Sequence, residues 1–159
     1  MILADLLSPE SVICGARATN KEQVLHDIAT HAAASLRLEQ KVIFDALQAR
    51  EHLGSTGLGK GFALPHACIE GLERFFGIFM RLKRPIDFDS IDNAPVDLVF
   101  VLLMPAATGD GRIAALATIS RHFRDQEFAA KLRKAPNAKE LCNLLLEPQH
   151  SLRALKALP

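Results

Sequence analysis

Pro95 and Pro105 enclose nine residues, Val96-Asp97-Leu98-Val99-Phe100-Val101-Leu102-Leu103-Met104, and Asp97 is the only polar one. A strand with one face in water alternates apolar and polar side chains. This run does not, and Val96, Val99 and Val101 are β-branched. It reads as a strand buried on both faces. Such a strand needs a packed layer above and below its sheet, which points to a covered α/β fold.

The flanking sequence supplies those layers. Residues 11–14 read as a short first strand around Val12 and Ile13. Asn20 then reads as an N-cap, with Gln23 as the reciprocal partner of a capping box. Val24, Leu25, Ile28, Ala32 and Leu36 follow at helical spacing, so Lys21 to about Leu36 is expected to be an amphipathic helix. A second helix, about residues 39–52, presents Val42, Ile43, Ala46 and Leu47, and Gly54 is its expected stop. Phe62-Ala63-Leu64 reads as a short strand ended by Pro65, and residues 75–82 as another. Helices return from about Asp110, marked by Ile113, Leu116, Ala117 and Phe123, then by Phe128 and Leu132. Asn137 with Glu140 makes a second capping box before Leu141, Leu144 and Leu145, and Pro148 is the expected stop. The order is a strand, two helices, several strands and three helices. It predicts one α/β domain over residues 1–159, a three-layer α/β/α sandwich with a mixed central sheet. The tail, about 149–159, alternates Leu with Arg and Lys and reads as a short helix or a partly ordered end.

Charge and cysteine usage narrow the function. Lys plus Arg is 19 and Asp plus Glu 18, a net charge of +1, which argues against a nucleic-acid binder. No stretch approaches the roughly 20 apolar residues of a membrane span, and the first residues lack the features of a signal peptide. Cys14, Cys68 and Cys142 are scattered and form no Cys-x-x-Cys pair. The expectation is a reducing, cytoplasmic setting without a disulfide, a metal site or a cofactor.

The chemistry concentrates in residues 50–66. Gly54, Gly57, Gly59 and Gly61 fall within eight residues, a loop able to bring backbone N–H groups close to an anion. Gly54, Gly59 and Lys60 match the G-x-x-x-x-G-K of a nucleotide-binding loop, but Gly61 stands where Ser or Thr should hold magnesium. That motif also needs a strand before it and a helix after it, and here the order is reversed. The better reading ends on His66, placed where the strand before Pro65 meets a loop. A neutral imidazole is a competent nucleophile near pH 7. Ser55, Thr56 and Arg50 supply donors of the kind that hold phosphoryl oxygens in line. A lone His at a strand end is usually a structural residue; its combination with the Gly loop favours phosphoryl transfer.

Arg50-Glu51, then Gly-Ser-Thr-Gly-Leu-Gly and Phe-Ala-Leu-Pro-His-Ala, resembles the active-site signature of the IIA domains of the bacterial phosphoenolpyruvate-dependent phosphotransferase system, fructose/mannitol class. Residues 85–100, Pro-Ile-Asp-Phe-Asp-Ser-Ile-Asp-Asn-Ala-Pro-Val-Asp-Leu-Val-Phe, resemble the nitrogen-related IIA-Ntr branch. The resemblance implies that His66 is phosphorylated on Nε2 by a phosphorylated HPr-like carrier, itself charged by an enzyme I from phosphoenolpyruvate. It implies that Arg50, Ser55 and Thr56 surround the phosphohistidine. The protein would then be a phosphotransferase-system component, not a free-standing nucleotide-dependent kinase. Its targets would be regulated proteins, such as potassium transport or sensor kinase components. The alternative within the same resemblance is a sugar-uptake IIA that passes the phosphoryl group to a IIB domain.

One position departs from the pattern. Many members carry a second histidine at the start of the helix after the last strand, and here Arg112 replaces it. A permanently charged arginine is expected to face the phosphoryl group and to favour neutral His66. The plainer alternative is a solvated surface arginine. Other groupings read as structural: Cys68 as a small buried apolar residue; Asp87, Asp89 and Asp92 as a solvated turn; His26 and His31 as five apart, off a common helical stripe. Arg121, Arg124, Lys131, Arg133 and Lys134 form the most basic region, read as a solvated helix end or a docking rim.

Overall fold

In the computed structural model, which describes residues 1–147, the run between the two prolines is the hub of a six-stranded mixed sheet. In chain order the strands are β1 (Val12–Ala16), β2 (Gly57–Gly59), β3 (Phe62–Ala63), β4 (His66–Ile69), β5 (Phe76–Ile86) and β6 (Val96–Pro105). The helices are α1 (Lys21–Leu36), α2 (Gln40–Leu53), α3 (Arg112–Arg124), α4 (Gln126–Lys134) and α5 (Ala138–Leu146). The sheet runs β1-β5-β6-β3-β2, and β4 also pairs with β6. β6 lies antiparallel to β5 and parallel to β3 and β4, and β1 lies parallel to β5.

Successive β6 side chains feed two cores. Val99, Val101 and Leu103 pack with Val24, Ile28, Ile43 and Leu47 of α1 and α2. Leu98, Phe100, Leu102 and Met104 pack with Ile119, Phe123, Leu132 and Leu141 of α3, α4 and α5. The two-sided burial expected of this strand is present, and so is the three-layer sandwich. The chain has no Trp or Tyr, and Phe123 gathers the aromatic contacts, stacking on Phe62 at 4.3 Å between centroids.

The helix starts follow the capping residues. Asn20 Oδ1 accepts from the Gln23 amide at 2.8 Å, and Asn137 Oδ1 accepts from the Glu140 amide at 2.9 Å. The first capping box is displaced by one residue: the Gln23 side chain accepts from the Thr19 amide, not from Asn20. α2 begins at Gln40 with Glu39 as its N-cap and ends against Gly54, close to the expected bounds. Two strands were not legible. β2 is too glycine-rich to show a strand pattern. β4 puts His66 at the start of a strand, where a loop was expected. β5 also runs beyond Leu82 to Ile86, through Pro85, where its pairing with β6 becomes irregular. The expected Pro148 stop and the tail at about 149–159 lie outside the described residues.

Candidate functional site

α2 delivers Arg50 at its C-terminal end, and the chain then turns into the β2–β3 hairpin. Lys60 and Gly61 sit at the hairpin tip with φ of 56° and 82°. Two consecutive positive φ values mark a tight primed turn, which Gly61 adopts without penalty. The Gly59-Lys60 pair therefore leads from β2 into a hairpin tip, and a strand, not a helix, follows it. β3 and β4 then run consecutively along β6, joined by Leu64 and Pro65. This join is pinned on both sides: the Leu64 amide donates to the Thr56 carbonyl, and the Leu102 amide to the Pro65 carbonyl.

His66 is half-buried at the first position of β4, opposite Leu102. Its Nδ1 lies 2.8 Å from the Leu64 carbonyl oxygen. A carbonyl can only accept, so Nδ1 carries the proton. Arg50 Nε donates to Nε2 at 3.2 Å, and a guanidinium can only donate. Two independent partners thus specify one tautomer and leave the lone pair on Nε2. Desolvation holds the imidazole pKa below its usual value, the Leu64 hydrogen bond partly opposes that, and the Arg50 charge adds to it. The ring stays neutral and nucleophilic at neutral pH. Arg50 Nη1 also donates to the Gly54 carbonyl at 2.9 Å, which aims the guanidinium.

The hydroxyls of Ser55 and Thr56 are engaged elsewhere in this state. Ser55 Oγ donates to the Phe88 carbonyl at 2.6 Å and accepts from the Gly57 amide at 3.0 Å. Thr56 is 2% exposed, and its Oγ1 donates to Glu51 Oε2 at 2.7 Å. Residues 87–93 brace the Gly loop from outside. Besides the Ser55 bond, the Ile91 amide donates to the Gly57 carbonyl, and the Lys60 amide donates to Asp92 Oδ2. The three aspartates expected as a turn behave as one: Asp87 accepts from the Asp89 amide and Asp92 from the Ala94 amide.

Arg112 starts α3, as expected, and is partly buried. Its Nη2 donates to the carbonyls of Pro105 and Ala106 at 2.8 and 3.2 Å, and its buried Nε has no partner. Pro105 pairs with Ile69, three residues along β4 from His66, which is roughly 10 Å at the usual rise of a strand. The guanidinium is therefore anchored at the far end of β4. In the basic region, Arg133 makes a two-pronged ion pair with Asp97 and also donates to the Lys60 carbonyl, so it ties α4 to the hairpin tip. The three cysteines are free, and Cys68, expected to be buried, is exposed on β4. His26 packs edge-on against Phe44, and His31 bonds the Glu10 carbonyl.

Sequence reasoning assigned no role to Glu51, which is 8% exposed. The signal was present: Ile43, Leu47 and Glu51 share one helical stripe at four-residue spacing, and all three are buried. A charge on an apolar stripe marks a buried partner. That partner is Lys21, whose Nζ lies 2.9 Å from Glu51 Oε1.

Residues 5–147 match the family described as phosphoenolpyruvate-dependent sugar phosphotransferase system, EIIA 2. A nitrogen regulatory protein of Bradyrhizobium diazoefficiens is 42% identical over 148 residues, covering 93% of this chain and 97% of that protein. One from Pseudomonas aeruginosa is 36% identical over 149 residues, covering 93% and 97%. The crystal structure of nitrogen regulatory protein IIA-Ntr from Neisseria meningitidis superposes with a TM-score of 0.84 at 28% identity, covering 90% of this chain and 98% of that one. Among the described residues, no helix is long and apolar enough to cross a membrane.

Proposed function

This chain belongs to the EIIA 2 family of the phosphoenolpyruvate-dependent sugar phosphotransferase system, and on that footing we propose that it is a phosphoryl carrier that accepts its group on His66 Nε2 from a phosphorylated HPr-like protein. The observation that carries the reading is the double constraint on His66, Nδ1–H to Leu64 and Nε2 facing Arg50. It leaves the unprotonated lone pair on Nε2, held by a fixed cation until phosphorus arrives. As the phosphorus–Nε2 bond forms, the bond from phosphorus to the carrier breaks and its electron pair leaves with the carrier. Nδ1 keeps its proton throughout. Arg50 Nε shifts its hydrogen bond from Nε2 to a phosphoryl oxygen, which offsets the developing charge.

Ser55 and Thr56 belong to the proposed phosphoryl-binding set with Arg50, and each hydroxyl exchanges its present acceptor for a phosphoryl oxygen by side-chain rotation. Arg112 completes the set as a fixed cation. Its unpartnered Nε gives it unused donor capacity, and swinging the guanidinium off Pro105 and Ala106 would bring it toward His66. Four exposed apolar residues lie on segments flanking the site: Leu53 (85% exposed), Leu58 (49%), Ile91 (84%) and Ile113 (85%). Such a rim suits a protein donor better than a small molecule.

The output we propose is regulatory and cytoplasmic, through target proteins that distinguish the two states of His66. Supporting it are the nitrogen regulatory names of the relatives and the charge change, roughly −1.5 to −2 by analogy with other phosphoryl modifications. The test is to incubate the protein with enzyme I, an HPr-like carrier and labelled phosphoenolpyruvate. An acid-labile label that disappears in His66→Ala supports the reading. Absence of label on the wild type refutes it. Onward transfer to an added IIB protein would favour sugar uptake instead.

A further inference from the structure

Glu51 and Lys21 touch none of the reacting atoms, yet the Gly loop and the 87–93 brace are both tied to them. Glu51 Oε1 accepts from the Thr56 amide at 2.7 Å, and Oε2 from the Thr56 hydroxyl. Lys21 Nζ, from the first residue of α1, neutralises this carboxylate and reaches the Phe88 carbonyl at 3.4 Å. It also stands 4.9 Å from the centroid of the Phe88 ring and 3.7 Å from the exposed Asp89 carboxylate. The pair therefore joins α1, the C-terminal turn of α2, the Gly loop and the 87–93 brace. Arg50 immediately precedes Glu51, so one helical turn holds both the group that faces Nε2 and the staple that holds Thr56. A buried carboxylate with one partner removed is costly, which makes the arrangement all-or-none.

We infer that Lys21 and Glu51 are positioning residues for phosphoryl transfer, setting the Ser55–Thr56 turn in register with Arg50 and His66. The inference rests on the phosphocarrier reading. Donors must be held to a fraction of an ångström for efficient transfer, and a loop cut from its staple loses that placement while the sheet that carries His66 stays intact. Of the two Thr56 bonds to Glu51, the amide bond survives any side-chain substitution at position 56, and only the hydroxyl bond is lost in valine.

The experiment is single-turnover transfer to His66 from the phosphorylated carrier, measured against carrier concentration, with thermal unfolding run in parallel. Glu51→Gln and Lys21→Met should each lower the limiting rate about tenfold or more. The half-saturating carrier concentration should stay the same, because Glu51 is buried and does not meet the carrier. The double variant should be no slower than the slower single one, since both act through one contact. A folded Glu51→Gln protein with an unchanged limiting rate overturns the inference, as does a change confined to half-saturation. Should Glu51→Gln fail to fold, Lys21→Met decides by the same criteria. Failure of the wild type to accept phosphoryl at all would instead overturn the phosphocarrier reading.

Discussion

Arg50 Nε lies 3.2 Å from His66 Nε2, so the nitrogen proposed as nucleophile is already occupied by a cationic donor. In the proposed transfer the donor has to yield that lone pair to phosphorus and then bind what arrives. One residue would thus orient the ring before transfer and meet charge after it. Replacing Arg50 by Ala should reduce acceptance about 10- to 100-fold, the worth of one charge-assisted hydrogen bond of about 1.5–3 kcal/mol. Lysine should recover little, because one ammonium cannot span Nε2 and the Gly54 carbonyl together. Single-turnover rates of the two variants check this.

Acid should switch the site off, but only below the ordinary histidine range. The folded-state pKa of His66 is held under 6.5 by desolvation and by Arg50. Transfer should therefore be flat through neutral pH and fall as pH drops through that lowered value, where imidazolium replaces the free lone pair. The same sign governs stability. Between the lowered pKa and 6.5 the unfolded chain binds the extra proton, so the contribution of His66 is complete above 6.5 and is lost as pH falls. Titrating the ring by NMR tests both statements, and in Arg50→Ala the midpoint should rise.

Arg112→Ala should slow acceptance severalfold and also cost about 1 kcal/mol of stability, since the bonds to Pro105 and Ala106 are lost. Arg112→His should restore part of the rate. A loss of stability with an unchanged rate would make Arg112 a strut at the end of β6 alone.

Gly57 leaves no room for a side chain. An added Cβ would collide with Ser90 Oγ and come within 3.0 Å of the Ser90 Cα, which belongs to the brace. Gly57→Ala should destabilise by about 1–3 kcal/mol as the brace is forced outward. Urea unfolding followed by circular dichroism measures it, tryptophan fluorescence being no option in a chain without Trp.

The helices and the central strand were readable because each is specified by a local pattern. Lys21–Leu36 is marked by Asn20 and by its apolar stripe, and Val96–Pro105 by an unbroken apolar run. β2 and β4 were not, because Gly57-Leu58-Gly59 has no side-chain alternation and His66 follows a proline kink. β4 exists because β6 offers it unpaired backbone, and β2 because β3 does. The candidate site was legible in composition: His66, Arg50, Ser55 and Thr56 all fall in or beside the Gly loop. Their contacts were not, and neither was the role of Glu51, whose partner Lys21 lies thirty residues earlier in the chain.

By itself, then, the order of residues determined the layers, the strand that runs between them and the histidine beside a glycine-rich loop. Periodicity and turn chemistry are properties of neighbours along the chain. Tertiary structure alone decided which nitrogen of His66 holds the proton, that Ser55 reaches Phe88, that Thr56 reaches Glu51, and that Arg112 grips the end of β6. Each of those outcomes is a competition for hydrogen-bond partners in space. Buried polar groups take whichever partner the packing brings within about 3 Å, however far apart the two lie in sequence.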